Sequence, residues 1–117
     1  MRPGLLLTLL AVLLWWTAVT PSVAESLDDQ PEVVSEYARA KRLMREGDYL
    51  EASRVFRQLS ARFPDSRNID LFLFNRAKAD LYFGNHDEAL AGFGNFIRRF
   101  PNSPFAAHAY FFQFPSP

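Results

Sequence analysis

Few side chains in this sequence have the type and spacing that catalysis or metal binding requires. His86 and His108 are the only histidines, and the sequence contains no cysteine. Two isolated histidines do not form a zinc site or a nucleophile–base pair, so we interpret them as helix-surface or packing residues. Asp87 and Glu88 adjoin a predicted helix start, where the helix dipole favours acids without any catalytic role. The sequence therefore predicts a protein that is not an enzyme and that uses no metal or cofactor.

Two other short motifs resemble anion-binding sites. Gly92 and Gly94 flank a phenylalanine in a weak imitation of a phosphate-binding loop, but the surrounding pattern is helical and no strand precedes it. Arg98 and Arg99 could form an anion patch, yet they lie in the last turn of the same predicted helix, where cations complement the dipole. The whole chain has 13 basic and 13 acidic side chains. This balance argues against nucleic-acid binding, which requires a surplus of Lys and Arg.

Residues 1–24 have the features of a signal peptide. Arg2 precedes an apolar block at residues 5–16, and the small residues 22–24 follow. The block is shorter than the roughly 20 apolar residues that span a bilayer, so cleavage after Ala24 is expected rather than a membrane anchor. Because the sequence has no cysteine that could carry a lipid, no lipid anchor is expected either. These features predict export to the periplasm, with secretion as the alternative.

The rest of the chain contains one pattern twice, 37 residues apart. Residues 46–66 read EGDYLEASRVFRQLSARFPDS, and residues 83–103 read FGNHDEALAGFGNFIRRFPNS. Apolar residues recur at helical spacing before and after Gly47 and Gly84, and each copy ends at Pro64 or Pro101. Each copy therefore predicts two helices joined at a glycine.

Particular residues predict how these helices begin and pack. Asp48 with Glu51, and Asn85 with Glu88, have the spacing of capping boxes. Small residues allow the two helices of each hairpin to approach closely, and a phenylalanine in each second helix fills the space between hairpins. These residues are Ala40, Ala52, Ala77 and Ala89, with Phe56 and Phe93.

The chain divides into a leader at residues 1–24, a flexible lead-in at 25–30, a first repeat at 31–66 and a second at 67–103. Residues 104–117 are predicted to be the truncated first helix of a third repeat, beginning near Pro104 and ending at Pro115. One short helix cannot direct all of its aromatic residues inward. The sequence therefore predicts either a piece of a longer repeat protein or a chain that buries this tail against a second copy or a partner. The tail residues are Phe105, Tyr110, Phe111, Phe112 and Phe114.

The repeated motif resembles the tetratricopeptide repeat. Gly47, Tyr49, Ala52, Phe56 and Pro64 follow that family's series of Gly, aromatic, Ala, Phe and Pro. The 37-residue period exceeds the usual 34. With FPDS and RRFPNSPFAAHAYFF, it is similar to the repeats of exported bacterial envelope proteins of the BamD-like and Tol-Pal coordinator type. The resemblance implies an all-α fold of stacked antiparallel helical hairpins, an α-solenoid with two full repeats and an incomplete third.

The resemblance also implies a binding surface, because in that family the first helices of successive repeats line a concave groove that receives a peptide or a partner helix. Lys41 and Lys78 occupy equivalent positions, so the groove is expected to bind a segment with acidic and apolar groups. Alternatively, the lysines are solvated and the apolar members are simply packed. The groove residues carried over by position are Val34, Tyr37, Lys41, Met44, Arg45, Leu71, Phe74, Asn75, Lys78 and Tyr82.

The function implied by the resemblance is a non-catalytic protein-protein interaction module in the bacterial cell envelope, active in outer-membrane or cell-wall assembly or maintenance. Its partner is expected to be a protein or peptide, with no nucleic acid. Two alternatives stay open at this point. The chain could be a repeat segment of a larger exported enzyme, or it could be a self-assembling structural protein.

Overall fold

The computed structural model describes residues 30–113, which form five α-helices and no strand. Helix α1 spans Pro31–Arg45, α2 Tyr49–Arg62, α3 Ile69–Phe83, α4 His86–Arg99 and α5 Ala106–Gln113. Each helix packs against the next one along the chain. A shift of 37 residues carries both ends of α2 onto the ends of α4. The predicted all-α fold of helical hairpins is confirmed. The predicted signal peptide and Phe114 lie outside the described residues.

Each hairpin turns at a glycine whose backbone is left-handed. The φ angle is +80° at Gly47 and +102° at Gly84, a conformation that glycine adopts without the steric cost of a side chain. The Asp48 amide then donates to the Leu43 carbonyl at 2.9 Å, and the Asn85 amide donates to the Asp80 carbonyl, also five residues earlier, at 2.8 Å. These bonds occupy carbonyls that the helix end would otherwise leave free.

The predicted capping boxes are wrong. Asp48 and Asn85 occupy the N-cap positions of α2 and α4, but neither side chain makes a capping hydrogen bond. Their ψ angles of 67° and 73° lie outside the extended region typical of capping residues. Glu51 instead pairs with Arg39 of α1 at 3.5 Å and with Arg54 at 3.4 Å. The acid of the first expected box therefore ties α1 to α2.

Two apolar clusters hold the array together, and α3 contributes to both. Phe72 and Ala79 pack with α1 and α2, whereas Phe74 and Ala77 pack with α4 and α5. Helix α3 is therefore apolar on two faces rather than along one stripe. The predicted packing residues are confirmed, because each is exposed by 1% or less. They are Ala40, Ala52, Ala77, Ala89, Phe56 and Phe93.

Helix α5 begins at Ala106, which is 37 residues after the first residue of α3, rather than at Pro104. Residues 101–105 form turns instead. Phe112 stacks on Phe93 with ring centroids 5.1 Å apart, whereas Tyr110 and Phe111 are 52% and 67% exposed. Among the described aromatic residues of the tail, the prediction that they cannot all face inward is confirmed.

Bilayer crossing requires a long, apolar helix, and none of the helices within residues 30–113 meets that requirement.

Candidate partner-binding groove

Two half-buried lysines mark the surface formed by the first helices of the two repeats. Burial of the Lys78 ammonium group lowers its pKa, and the positive charge of Lys41 lowers it further. Lys78 Nζ lies 5.8 Å from the ring centroid of Phe74 and 5.9 Å from that of Tyr82, so the rings help to hold the cation. Within residues 30–113, neither lysine forms an ion pair with a carboxylate. Both ammonium groups can therefore receive an anionic group from outside.

Aromatic side chains pack α1 against both α2 and α3. The Tyr37 ring lies 6.0 Å from the ring of Phe56 and 6.1 Å from that of Phe72, between centroids. Burial raises the pKa of the Tyr37 hydroxyl, and a hydrogen bond with the Asn75 side chain opposes that change. Because Tyr37 contacts α2 and α3 together, it fixes the spacing on which the lysine pair depends.

Eight of the ten predicted groove residues are at least partly exposed. The exposed members offer apolar and cationic groups at the two ends of α1 and the end of α3, and the half-buried members lie between them. The exposed residues are Val34, Arg45 and Tyr82, and the half-buried residues are Tyr37, Lys41, Met44, Leu71 and Lys78.

The remaining two residues, Phe74 and Asn75, were assigned to the groove wrongly. Each is only 4% exposed. Phe74 stacks on Phe105, the residue just before α5, with ring centroids 5.2 Å apart. The Asn75 amide donates to the Leu71 carbonyl one turn earlier at 2.9 Å. Both side chains lie on faces of α3 that neighbouring helices cover, so they support the groove without presenting a surface to a partner.

The sequence reasoning missed an aromatic contact at the turn end of the hairpins. The Tyr49 ring lies 5.4 Å from the Tyr82 ring, between centroids, so it joins α2 to the end of the groove. Leu50 and Phe83 are the next residues in each helix and are 41% and 54% exposed. The turn-end aromatic of the repeat motif could have indicated this extension. These residues enlarge the apolar part of the candidate surface.

The chemistry that this arrangement supports is binding. Among residues 30–113, no three His, Asp or Glu side chains are grouped as a metal-ligand set. The Lys78 ammonium group lies beside the rings of Phe74 and Tyr82, an arrangement that suits a segment that carries carboxylates beside apolar side chains.

The sequence is similar to outer membrane proteins. Residues 29–115 match the protein family described as YfiO, outer membrane lipoprotein. The chain is also similar to the outer membrane protein assembly factor BamD from two strains of Xylella fastidiosa, with 28% identity over 109 residues in each case. Each alignment covers 93% of this chain and 37% of the relative. The chain thus spans little more than a third of the length of these curated relatives.

Proposed function

The chain belongs to the YfiO family of outer membrane lipoproteins, and from that premise we propose that it is a non-catalytic protein-binding module of outer membrane assembly. The name of the Xylella relatives, outer membrane protein assembly factor, supports this role. The family description also supports a location in the cell envelope. We propose that within the envelope the protein is periplasmic. The expectation that the protein has no lipid anchor rests on the absence of cysteine from the sequence. It stays a prediction.

The observation that carries the proposal is the unpaired state of Lys41 and Lys78 on a partly apolar surface. Surface lysines are commonly solvated, but Lys78 is half-buried between two rings and its pKa is lowered. An ammonium group in that position gains from a carboxylate, because the carboxylate offsets both its desolvation and its repulsion by Lys41. We therefore propose that the groove binds a peptide segment in which an acidic group is flanked by apolar side chains.

Reversing both charges tests this proposal. Lys41→Glu/Lys78→Glu should weaken partner capture from envelope extracts about tenfold, as expected when two charged contacts become repulsive. The effect should shrink as salt is raised, because exposed charges are screened within about 8–10 Å at physiological ionic strength. A matched control, Arg42→Glu/Arg57→Glu, makes the same change of charge at exposed residues outside the groove. Capture that is unchanged in the lysine variant, with helicity retained, would exclude the groove.

A second contact surface is proposed at α5. Phe111 stands 37 residues after Phe74, and Phe74 is buried by the first helix of the next repeat, whereas Phe111 is 67% exposed. Tyr110 beside it is 52% exposed. We propose that another helix, from a second copy or from a partner, covers these two rings.

The protein from Glu25 onward should therefore associate in light scattering at rising concentration, and should bind an apolar dye where the rings stay uncovered. Tyr110→Ser/Phe111→Ser should reduce both signals, because the substitutions remove the exposed apolar surface. A wild-type protein that is monomeric at all concentrations and binds negligible dye would contradict this proposal.

A further inference from the structure

The chain forms the same cleft twice, where the end of a second helix meets the loop after it. The first loop cleft is lined by Gln30, Arg62 and residues 63–66, with a volume of about 210 Å³. The second loop cleft is lined by Arg67, Arg99, residues 69–70 and residues 100–103, with a volume of about 340 Å³. The last arginine of the helix lies over the following phenylalanine ring in both, at 5.3 Å in the first and 5.1 Å in the second. The two guanidinium groups are therefore held in similar positions.

The first loop cleft neutralises its own arginine. Arg62 of α2 forms an ion pair with Glu32 in the first turn of α1. Asp65, which lines the cleft, supplies a second carboxylate, whereas Glu32 pairs with Arg62 from outside the lining. With one basic and two acidic side chains, this cleft has no excess positive charge with which to attract an anion.

The second loop cleft differs from the first in charge at four equivalent positions, and three of these differences make it more positive. Ile69 stands where the first repeat has Glu32, Asn102 replaces Asp65, and Arg67 replaces Gln30. Each of these three differences removes a negative charge or adds a positive one, whereas Asp70, where the first repeat has Val33, adds a negative charge. Within residues 30–113, neither Arg67 nor Arg99 forms an ion pair.

Asp70 is the one carboxylate that lines the second loop cleft, and hydrogen bonds engage both of its oxygens. Oδ1 accepts from the Leu71 amide at 3.0 Å, and Oδ2 accepts from the Ser103 hydroxyl at 3.0 Å. Asp70 therefore joins the start of α3 to the loop before α5 and lies beyond ion-pair distance of both arginines. The first turn of α3, whose dipole end is positive, offsets the negative dipole end of α4 in the same cleft.

We propose that the second loop cleft binds a phosphate group. Arg67 and Arg99 each present a guanidinium fork, which suits phosphate oxygens, and the Asn102 carboxamide adds a third donor. A tetrahedral phosphate has oxygens in four directions and can accept from donors on several sides, whereas a carboxylate has two oxygens in one plane. The phosphate can be free or can belong to a lipid headgroup. This site is separate from the groove on α1 and α3.

Titration with inorganic phosphate, followed by NMR of the arginine Nε–H groups and the amides of residues 100–103, tests the site. Asn102→Asp restores the carboxylate of the first loop cleft at an exposed position and should weaken phosphate binding at least about tenfold, the effect of replacing an attraction by a repulsion. Arg99→Gln should do the same. Arg62→Gln, the matched change in the first loop cleft, should leave the affinity unchanged. Equal affinities in wild type and in Arg99→Gln would overturn the proposal.

Two further arms identify the source and the chemistry of the anion. Vesicles of phosphatidylcholine with phosphatidic acid should retain the wild type but not Arg99→Gln if the phosphate belongs to a lipid. Retention of neither protein, together with binding of inorganic phosphate, assigns a soluble phosphate. Acetate that shifts the same resonances at the same concentration as phosphate would show that the cleft recognises any carboxylate, and the phosphate proposal would fail.

Discussion

Replacement of Phe74 by alanine is expected to lower the free energy of unfolding by about 3–5 kcal/mol, the usual cost of removing a fully packed phenylalanine. The Phe74 ring centroid lies 5.9 Å from that of Phe93, 5.6 Å from that of Phe96 and 5.2 Å from that of Phe105. These rings come from α4 and from the segment before α5. Truncation of Phe74 therefore leaves a cavity that no single neighbour can fill, and α5 should lose its docking surface.

Urea unfolding followed by circular dichroism measures the effect. Tyr82→Ala on the same helix is the control, because Tyr82 is 48% exposed and its truncation should cost less than about 1 kcal/mol. Comparison of Phe74→Ala with Tyr82→Ala also distinguishes packing residues of α3 from partner-binding residues. A groove residue would lose partner binding with little loss of stability, so a Phe74→Ala protein that is nearly as stable as wild type would contradict the burial described above.

Removal of the Ser53 hydroxyl is expected to destabilise the contact between the two repeats by about 1–3 kcal/mol, since it deprives a buried carboxylate of a donor. Ser53 Oγ donates to Asp80 Oδ1 at 2.5 Å, and Asp80 is 6% exposed. Arg76 Nε lies 4.0 Å from the other oxygen, at the limit of an ion pair. The Ser53 hydroxyl is thus the nearer of the two partners of this carboxylate. The stability lost in Ser53→Ala should therefore reflect the loss of that hydrogen bond.

The first repeat suggests the compensating change. Leu43 stands 37 residues before Asp80 and is 9% exposed, so an apolar side chain is accepted at that position. Ser53→Ala/Asp80→Leu should recover most of the stability that Ser53→Ala loses, because a polar pair replaced by apolar groups of similar size is often neutral. Urea midpoints of the two single variants and the double variant measure the coupling. Purely additive losses in the double variant would show that Ser53 and Asp80 do not act as a pair.

Much of the fold could be predicted from the repeated pattern, because each glycine turn and each proline recurs at the same interval. Asp48 and Asn85 were placed correctly at helix starts, but their side chains make no capping bond, since sequence spacing does not determine the ψ angle. Phe74 and Asn75 were misplaced because position in the repeat indicates the face of a helix but not whether another helix covers that face.

The candidate site, too, could be predicted only in part from the sequence. Lys41 and Lys78 could be paired from the repeat alone, and in the structure the positive charge of Lys41 contributes to the lowered pKa of Lys78. The repeat motif indicated an aromatic residue at the turn end, but not that the Tyr49 ring contacts Tyr82, because that contact depends on how far α2 and α3 approach. Arg99 was interpreted as a dipole partner, and its unpaired state emerged only once the two loop clefts could be compared.

Because α3 contributes to both apolar clusters, it also determines how the protein should unfold. Phe72 belongs to one apolar cluster and Phe74 to the other. Unfolding of either repeat therefore removes packing contacts from α3, and the other repeat packs against that same helix. Nearest-neighbour coupling of this kind makes repeat arrays unfold cooperatively. Amide hydrogen exchange should consequently be slowest in α3 and fastest in α1 and α5, which within residues 30–113 each have one sequence-adjacent helix. The protein should behave as a single folding unit whose cooperativity depends on one central helix.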